Sequence, residues 1–266
     1  MATVARLLLY VAAMMAMGNA CAQRVRGAEW HSPGATVRRQ LPLLAWLAAL
    51  TSLLLMFVLQ FLALELASTA DDVAMLVRHT AWGNGWLVLC ALALAGVAGT
   101  LTGARLAWQF AVAAAFAVAM GGLGHAAADD AWPMLSRFLD ATHVLGVTMW
   151  LGTLLYLSME STLISWQRFS AVATVAAPLS ILSGLGSAWR RVAGATVTQT
   201  ISSDYARLLA IKVAIVMVVL LVGAWHRRRL RAQQVPTPGS VRFELALALL
   251  ALGVTAVLAG TSPPGE

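Results

Sequence analysis

Two histidines flank a short predicted loop between apolar segments and could bind a metal ion. His125 ends one segment in MGGLGHAAADD, and His143 begins the next in FLDATHVLGVTMWLG. Consecutive helices joined by a short loop are antiparallel neighbours, so we expect both side chains at similar depth near one surface. Ionisable groups at membrane depth usually face a cavity, a partner or a metal. From the spacing alone, two interpretations are equally favoured. Either both histidines are metal ligands, or both lie at the membrane interface and only hydrogen-bond to loop carbonyls or nearby aspartates.

Carboxylates stand at helical spacing from both histidines. Asp129 follows His125 by four residues, and Asp140 precedes His143 by three. Residues three or four apart on a helix are neighbours on one face. A carboxylate that accepts the second imidazole N–H fixes the tautomer of a metal-bound histidine. We therefore expect Asp129 and Asp140 to orient the two imidazoles, whose neutral form suits copper, zinc, iron or nickel.

Three further residues are weaker candidates for a metal ligand. His79 stands just before the third apolar segment, and Met14 and Cys21 share one face of the first. Thiol and thioether sulfur are soft ligands that suit Cu(I). At about 100° per residue, Met120 and Met149 do not share the faces of His125 and His143. We expect most of the 11 methionines to pack in the core or face lipid.

The elements that must position these side chains are membrane-spanning helices. The chain has 266 residues, of which 60% are hydrophobic and only 11% charged, and its mean hydropathy is +0.79. Soluble domains carry about a quarter of their residues as charge, so an ordinary soluble globule is excluded. A spanning helix needs roughly 20 mainly apolar residues. Eight segments satisfy this condition: 4–20, 41–64, 82–101, 104–123, 137–158, 170–189, 206–225 and 242–260.

The predicted fold class is all-α, a polytopic transmembrane bundle of about eight spans that forms a single integral-membrane domain over residues 1–266. Small residues at 121–122, 146, 152, 180, 183, 184 and 187 would let its helices approach closely. The first segment has an alternative. Arg6, the run LLLYVAAMMA and the small residues of GNACAQ also fit a cleaved signal peptide, which would leave seven spans.

The distribution of arginine predicts the orientation of the bundle. The formal charge is +7, and the loops after the first, third, fifth and seventh spans hold 11 of the 18 Lys and Arg residues. Short loops rich in arginine stay in the cytoplasm, so we expect both termini in the periplasm. The outward side carries most of the acidic residues, which would attract cations. His226 opens the cluster WHRRRLR, where we expect a solvated or helix-dipole role.

Several function classes are excluded by what the sequence lacks. The arginines lie between apolar runs rather than on one basic face, so we expect no nucleic-acid partner. The sequence contains no P-loop, dinucleotide fingerprint, HExxH motif or serine nucleophile elbow. Its two cysteines cannot form a disulfide framework and fit no zinc spacing. We therefore expect a protein that is not an enzyme.

The run GHAAADDAWPMLSRFLDATHVLGVTMWLGTLLYL resembles the signature of the copper resistance protein D (CopD) family. The resemblance covers residues 80–262 and continues through RFSAVATVAAPLSILSGLGSAWR, DYARLLAIKVAIVMVVLLVGAWHRRRL and ELALALLALGVTAVLAGTSPP. By position, His125 and His143 match the paired histidines of the family, and Lys212 matches a lysine of its seventh helix. Thr153 stands where a second glycine is common, and His226 where a polar, asparagine-like residue is common.

The resemblance implies a multi-pass protein of the bacterial inner membrane that handles copper ions. His125 and His143 would be the copper ligands, and copper would move from the periplasm toward the cytoplasm in copper tolerance or homeostasis. The implied partners are the lipid bilayer and a periplasmic copper-binding protein. Two alternatives stay open: a non-transporting factor that delivers copper, and a cytochrome b-like electron-transfer protein in which the same histidines ligate haem.

Overall fold

The chain folds into a helical bundle. The computed structural model describes residues 1–26, 35–64, 69–123, 132–159, 162–193 and 195–264, with side chains from residue 40 onward in the second range. These residues form ten helices and no strand. The helices are α1 (Ala2–Arg26), α2 (Ala35–Ala63), α3 (Ala70–Arg78), α4 (Ala81–Leu101), α5 (Leu106–Met120), α6 (Pro133–Leu157), α7 (Leu163–Val192), α8 (Val197–Ser202), α9 (Asp204–Arg231) and α10 (Pro238–Leu258).

The predicted all-α polytopic fold is confirmed. Within the described ranges, seven helices are long and apolar enough to cross a membrane: α1, α2, α4, α6, α7, α9 and α10. The eighth predicted segment forms α5, which has 15 residues. At 1.5 Å per residue it is roughly 22 Å long, shorter than the ~30 Å of a bilayer core. About eight spans therefore agrees with the structure, with α5 as the short member.

Two short helices were not predicted, and both begin with a capping box. Thr69 accepts a hydrogen bond from the backbone of Asp72 at the start of α3, and the Asp72 side chain accepts one from the backbone of Thr69. Thr196 and Gln199 make the same exchange at the start of α8. A capping box satisfies backbone donors that a helix start leaves free. The polar segments before α4 and α9 are therefore helical where we expected loops.

Helix α1 lies at the centre of the bundle. It contacts α2, α5, α6, α7 and α10. In its most apolar 18-residue window 61% of the residues are buried, compared with 6% in α9. The closest approach is to α6, where Gly18 meets Gly152 and neither position has room for a Cβ atom. The first segment therefore packs within the bundle. This agrees with its interpretation as a membrane-spanning helix.

The two ends of the bundle differ in charge. At one end, Arg168 near the start of α7 donates to the carbonyl of Val25 at 3.1 Å, and Trp166 lies 6.3 Å from His226 near the end of α9. We call this the arginine end, because α1 and α9 finish there in clusters of arginine. At the other end, Arg6 lies beside Gly260, so both termini share one end as predicted.

We call that second end the aspartate end. It carries four of the five acidic residues in the described part of the chain, Asp71, Asp72, Asp140 and Asp204. The separation agrees with the loop assignment made from the sequence. The side of the membrane that each end faces stays a prediction.

Candidate functional site

A cluster of polar side chains lies inside the aspartate half of the bundle, between α6, α7 and α9. We call it the Asp140 centre, and its members are Asp140, His143, Arg191, Tyr205 and Lys212. Arg191 donates to Asp140 at 2.9 Å, and the two side chains are 23% and 16% exposed. Tyr205, which is 2% exposed, hydrogen-bonds to Arg191. Lys212 interacts electrostatically with Asp140 and Arg191. Because charged groups inside a membrane usually serve function, this cluster is the first candidate for a site.

The imidazole of His143 is held by the neighbouring helix α7. Its Nδ1 atom lies 2.6 Å from the backbone carbonyl oxygen of Ser180. One turn further along α7 stands Gly184, and a Cβ atom there would lie 2.8 Å from Nδ1 and 2.9 Å from Cε1 of the ring. The absence of a side chain at Gly184 therefore creates the space that the imidazole occupies. Gly184 is one of the small residues predicted to let two helices approach closely. At this position it is the side chain of His143, rather than a helix backbone, that comes close.

The bond to Ser180 determines which nitrogen of His143 can bind a ligand. A carbonyl oxygen only accepts hydrogen bonds, so Nδ1 must carry the hydrogen. In a neutral imidazole the other nitrogen, Nε2, then has a free lone pair. No described residue makes a hydrogen bond to Nε2 of His143. This is the arrangement by which a backbone carbonyl fixes the tautomer of a metal-binding histidine.

The charge around His143 is the second feature that controls what can bind. Asp140 compensates Arg191 through their ion pair. Lys212 interacts electrostatically with His143 as well and adds a further positive charge. With a neutral imidazole the Asp140 centre therefore carries a net charge of +1. A cation at Nε2 would be opposed by Lys212 and favoured by Asp140, so these two residues should tune its affinity in opposite directions.

Asp140 does not have the role predicted from its spacing. The expected acceptor for the second N–H of His143 was the Asp140 carboxylate, but Ser180 on α7 supplies that acceptor and Asp140 binds Arg191. The side chain of arginine is long enough to reach a carboxylate across a helix interface, which the local i, i+3 rule does not consider. The depth of His143 in the bundle also differs from the prediction. α6 begins at Pro133, so His143 lies ten residues inside it, roughly 15 Å along the axis and not near its end.

The partner histidine lies outside the described residues. His125 and Asp129 both fall in the undescribed range 124–131. The chain approaches the site before that range, because Gly121 at the end of α5 packs against Ala141, with no room for a Cβ atom beside the Ala141 amide nitrogen. The pairing of His125 with His143 and the role of Asp129 stay predictions.

The three additional candidates are not brought together. His79 is an exposed residue at the C-cap of α3. Met14 is 1% exposed and packs in the apolar core beside α6 and α7. Cys21 hydrogen-bonds to Thr153 and lines a cavity at the arginine end together with Arg24 and Arg168. Two guanidinium groups beside a thiol oppose the binding of a metal cation there.

A second polar centre, which the sequence analysis missed, lies at the arginine end. His226 and Glu244 form a pair between α9 and α10, with Nδ1 2.8 Å from Oε2 and side chains 6% and 3% exposed. The solvated role expected for His226 is wrong, because the residue points into the bundle rather than with the exposed arginines. The available signal was Glu244 itself, a carboxylate inside the apolar run ELALALLALG.

Both ring nitrogens of His226 face protein groups. Nε2 lies 2.9 Å from the hydroxyl oxygen of Ser240, and that hydroxyl donates its own hydrogen to the carbonyl of Thr237 at 2.8 Å. The oxygen of Ser240 must therefore accept, so Nε2 carries a hydrogen. Nδ1 faces the Glu244 carboxyl group. Because Ser240 and Glu244 lie against the two nitrogens and both side chains of the pair are buried, the ring presents neither nitrogen to an external ligand.

Metal coordination by the described residues alone would be incomplete. Groups of three or more His, Cys, Asp or Glu side chains suited to a metal ion do not occur in the described ranges. His143 supplies one nitrogen at most, and any further ligand must come from another residue type or from the range that contains His125. A copper site at His143 therefore requires at least one partner beyond the groups placed so far.

The fold and its two buried polar centres define a polytopic α-helical membrane protein. The family model described as Copper resistance protein D matches residues 165–258, from the third residue of α7 to the end of α10. This match supports the predicted resemblance to the copper resistance protein D family over that part of the chain. Neither a curated protein nor a solved structure shows significant similarity to the chain.

The matched segment is narrower than the predicted resemblance over 80–262. It contains Arg191, Tyr205, Lys212, His226 and Glu244, and it begins after His125, Asp140 and His143. The family match therefore covers helices that surround His143. The two predicted copper ligands, His125 and His143, lie outside the matched segment.

Proposed function

We propose that this chain is a copper-handling protein of the bacterial inner membrane and that His143 supplies a copper ligand through Nε2. The observation that carries the proposal is the bond from Nδ1 to the Ser180 carbonyl, which puts the lone pair on Nε2, where no described residue binds it. Imidazole nitrogen suits copper, and copper is the metal named by the matched family. His125 is the proposed second ligand, with Asp129 as its orienting group.

The charge asymmetry supports a direction of movement. We place the arginine end in the cytoplasm, in accord with the positive-inside rule, and the aspartate end in the periplasm. Copper would then arrive at the end that carries Asp71, Asp72 and Asp204, reach His143 and continue toward the cytoplasm. A periplasmic copper-binding protein is the proposed donor. In this proposal the protein binds and moves an ion and catalyses no reaction.

Direct copper binding tests the ligand assignment. The purified protein in detergent would be titrated with Cu(I) and with Cu(II) against a competing chelator. We expect His143→Ala to weaken binding by at least about tenfold, because the loss of a ligand should cost no less than the roughly 10–100-fold seen when a residue that only orients a ligand is replaced. His79→Ala is the matched control, because it removes an exposed imidazole at the same end. Equal affinities for wild type and His143→Ala would reject the assignment.

Copper accumulation in cells tests the function. Cells that express His125→Ala plus His143→Ala should accumulate less copper than cells that express the wild type at equal protein level. Accumulation equal to that of wild type would remove both histidines from the pathway. The two single variants show whether one imidazole suffices.

Two measurements separate the proposal from its alternatives. Copper flux into proteoliposomes is expected for a transporter, whereas binding without net flux would favour a protein that delivers copper to a partner. The visible spectrum of the purified protein addresses the haem alternative, since two axial histidines would give a Soret band. We expect flux and no Soret band.

A further inference from the structure

A cavity of about 320 Å³ opens at the arginine end of the bundle, between α1, α5, α6 and α7. Two arginines from different helices contribute to its wall, Arg24 of α1 and Arg168 of α7. Cys21 lies deeper in the same cavity. The cavity opens at the opposite end of the bundle from the Asp140 centre.

The two arginines have no carboxylate partner among the described residues. Arg24 lies over the ring of Phe110, 4.8 Å from its centroid, and Arg168 donates one hydrogen bond to the carbonyl of Val25. Each guanidinium has five N–H donors, so most of them stay available at both residues. Two positive charges at one cavity, neither paired with an acid in the described part of the chain, attract an anion. The planar guanidinium fork binds phosphate oxygens in particular, because it presents two parallel donors.

The other walls of the cavity are apolar. They are formed by Val25, Phe110, Met149 and Val172. A free inorganic anion would use only the arginines and would leave this apolar surface in water. A phospholipid satisfies both parts, because its phosphate group meets the guanidinium groups while its acyl chain covers the apolar wall. Basic pockets between transmembrane helices bind anionic headgroups in this way.

We propose that this cavity binds one anionic phospholipid, with its phosphate group held between Arg24 and Arg168 and an acyl chain against Val25, Phe110, Met149 and Val172. The site is independent of copper. It ties α1 to α7 at the arginine end through a lipid, in addition to the direct bond from Arg168 to Val25.

Native mass spectrometry of the full-length protein tests the proposal. The protein would be incubated in detergent with phosphatidylglycerol, with phosphatidylcholine of the same acyl chains, or with inorganic phosphate. We expect retention of phosphatidylglycerol well above the other two. Arg24→Gln plus Arg168→Gln should reduce that retention by about tenfold to thirtyfold, since each basic residue near a membrane surface is worth about 1 kcal/mol toward an anionic lipid.

A matched charge control separates the cavity from the general charge of this end. Arg227→Gln plus Arg231→Gln removes the same charge from two exposed arginines that do not line the cavity. We expect this variant to retain the lipid within about twofold of wild type. An equal loss in both double variants would overturn the proposal, because it would show that only net charge matters.

A third variant tests the acyl-chain part without changing charge. Val172→Trp fills the apolar part of the cavity and should lower retention of phosphatidylglycerol while phosphate binding stays unchanged. Thermal unfolding of each variant checks that it is folded. Equal retention of phosphatidylglycerol and phosphatidylcholine, binding of inorganic phosphate as strong as that of the lipid, or full retention by Val172→Trp would each overturn the assignment to an anionic lipid.

Discussion

Helix α9 carries a polar contact near each of its ends, and each contact involves a histidine in a different state. At the aspartate end, Lys212 approaches His143 together with Asp140 and Arg191, whose side chains are 16–23% exposed. At the arginine end, His226 pairs with Glu244, and the exposed fractions fall to 6% and 3%. The middle of α9 between them is apolar and has little contact with the bundle.

The difference between the two centres lies in the unused hydrogen-bonding capacity. His226 has both nitrogens engaged, by Glu244 and by Ser240, so its pair can only hold α9 against α10. His143 has Nδ1 engaged by Ser180, while Nε2 has no hydrogen bond to any residue that the structure describes. A buried histidine is therefore a candidate ligand only where its partners leave a lone pair available. By this criterion the Asp140 centre is suited to binding, and the His226–Glu244 pair is suited to structure.

The largest expected effect is the loss of the His226–Glu244 pair. Glu244→Leu leaves a buried imidazole without its acidic partner, and breaking such a pair from one side costs about 3–5 kcal/mol. We expect a marked fall in unfolding temperature in detergent. The copper affinity of the folded fraction should change by less than about twofold, because the two centres are distant.

The double variant His226→Leu plus Glu244→Leu controls for packing. Replacement of both members by apolar residues is often neutral, so we expect the double variant to regain most of the stability that Glu244→Leu loses. A double variant as unstable as the single one would mean that shape, rather than an unpaired polar group, explains the loss. Loss of copper binding in either variant would break the separation between the two centres.

The second prediction concerns the space that Gly184 leaves for His143. Gly184→Ala places a methyl group 2.8–2.9 Å from two atoms of a rigid ring, and overpacking of this kind costs about 1–3 kcal/mol. We expect lower stability and weaker copper binding together, since the ring must move away from Ser180. Gly253→Ala is the control, because a Cβ atom there meets nothing within 4 Å. Normal copper affinity in Gly184→Ala would show that the position of the ring is unimportant.

The architecture could be predicted from the sequence, because a membrane-spanning helix is recognised by the length of its apolar segment. All eight predicted segments are helices, and their charged loops separate to two ends. The capping boxes at Thr69 and Thr196 were readable too and would have predicted α3 and α8. These signals are local, so they need no knowledge of which helices touch.

The partners of the candidate residues could not be predicted, because they come from other helices. Spacing placed Asp140 beside His143 on α6, but the ion pair of Asp140 forms with Arg191, 51 positions later in the chain. Likewise His226 was read with the arginines that follow it, although its face of α9 turns to Glu244 on α10. Helical periodicity predicts on which face of its helix a residue lies, but it does not predict which other helix packs against that face.

The third prediction reduces the negative charge of the Asp140 centre. Asp140→Asn leaves Arg191 uncompensated, so the net charge beside His143 rises by one. A unit charge within roughly 10 Å contributes about 1–2 kcal/mol at an effective dielectric constant near 20, so copper should bind about tenfold more weakly. Asp204→Asn is the control, since its side chain is 80% exposed in a surface pair with Arg207. Equal effects of the two substitutions would mean that the Asp140 centre is not where copper binds.

The smallest expected effect has the opposite sign and is the most specific test of the contrast between the two centres. Lys212→Gln removes the positive charge that interacts with His143, so copper affinity should rise by about fivefold. Arg207→Gln removes the same charge from the exposed surface of α9 and should leave the affinity unchanged. A general loss of structure only weakens binding, so a gain cannot come from damage. An affinity that falls in Lys212→Gln would instead make Lys212 part of the site and exclude a cation at Nε2 of His143.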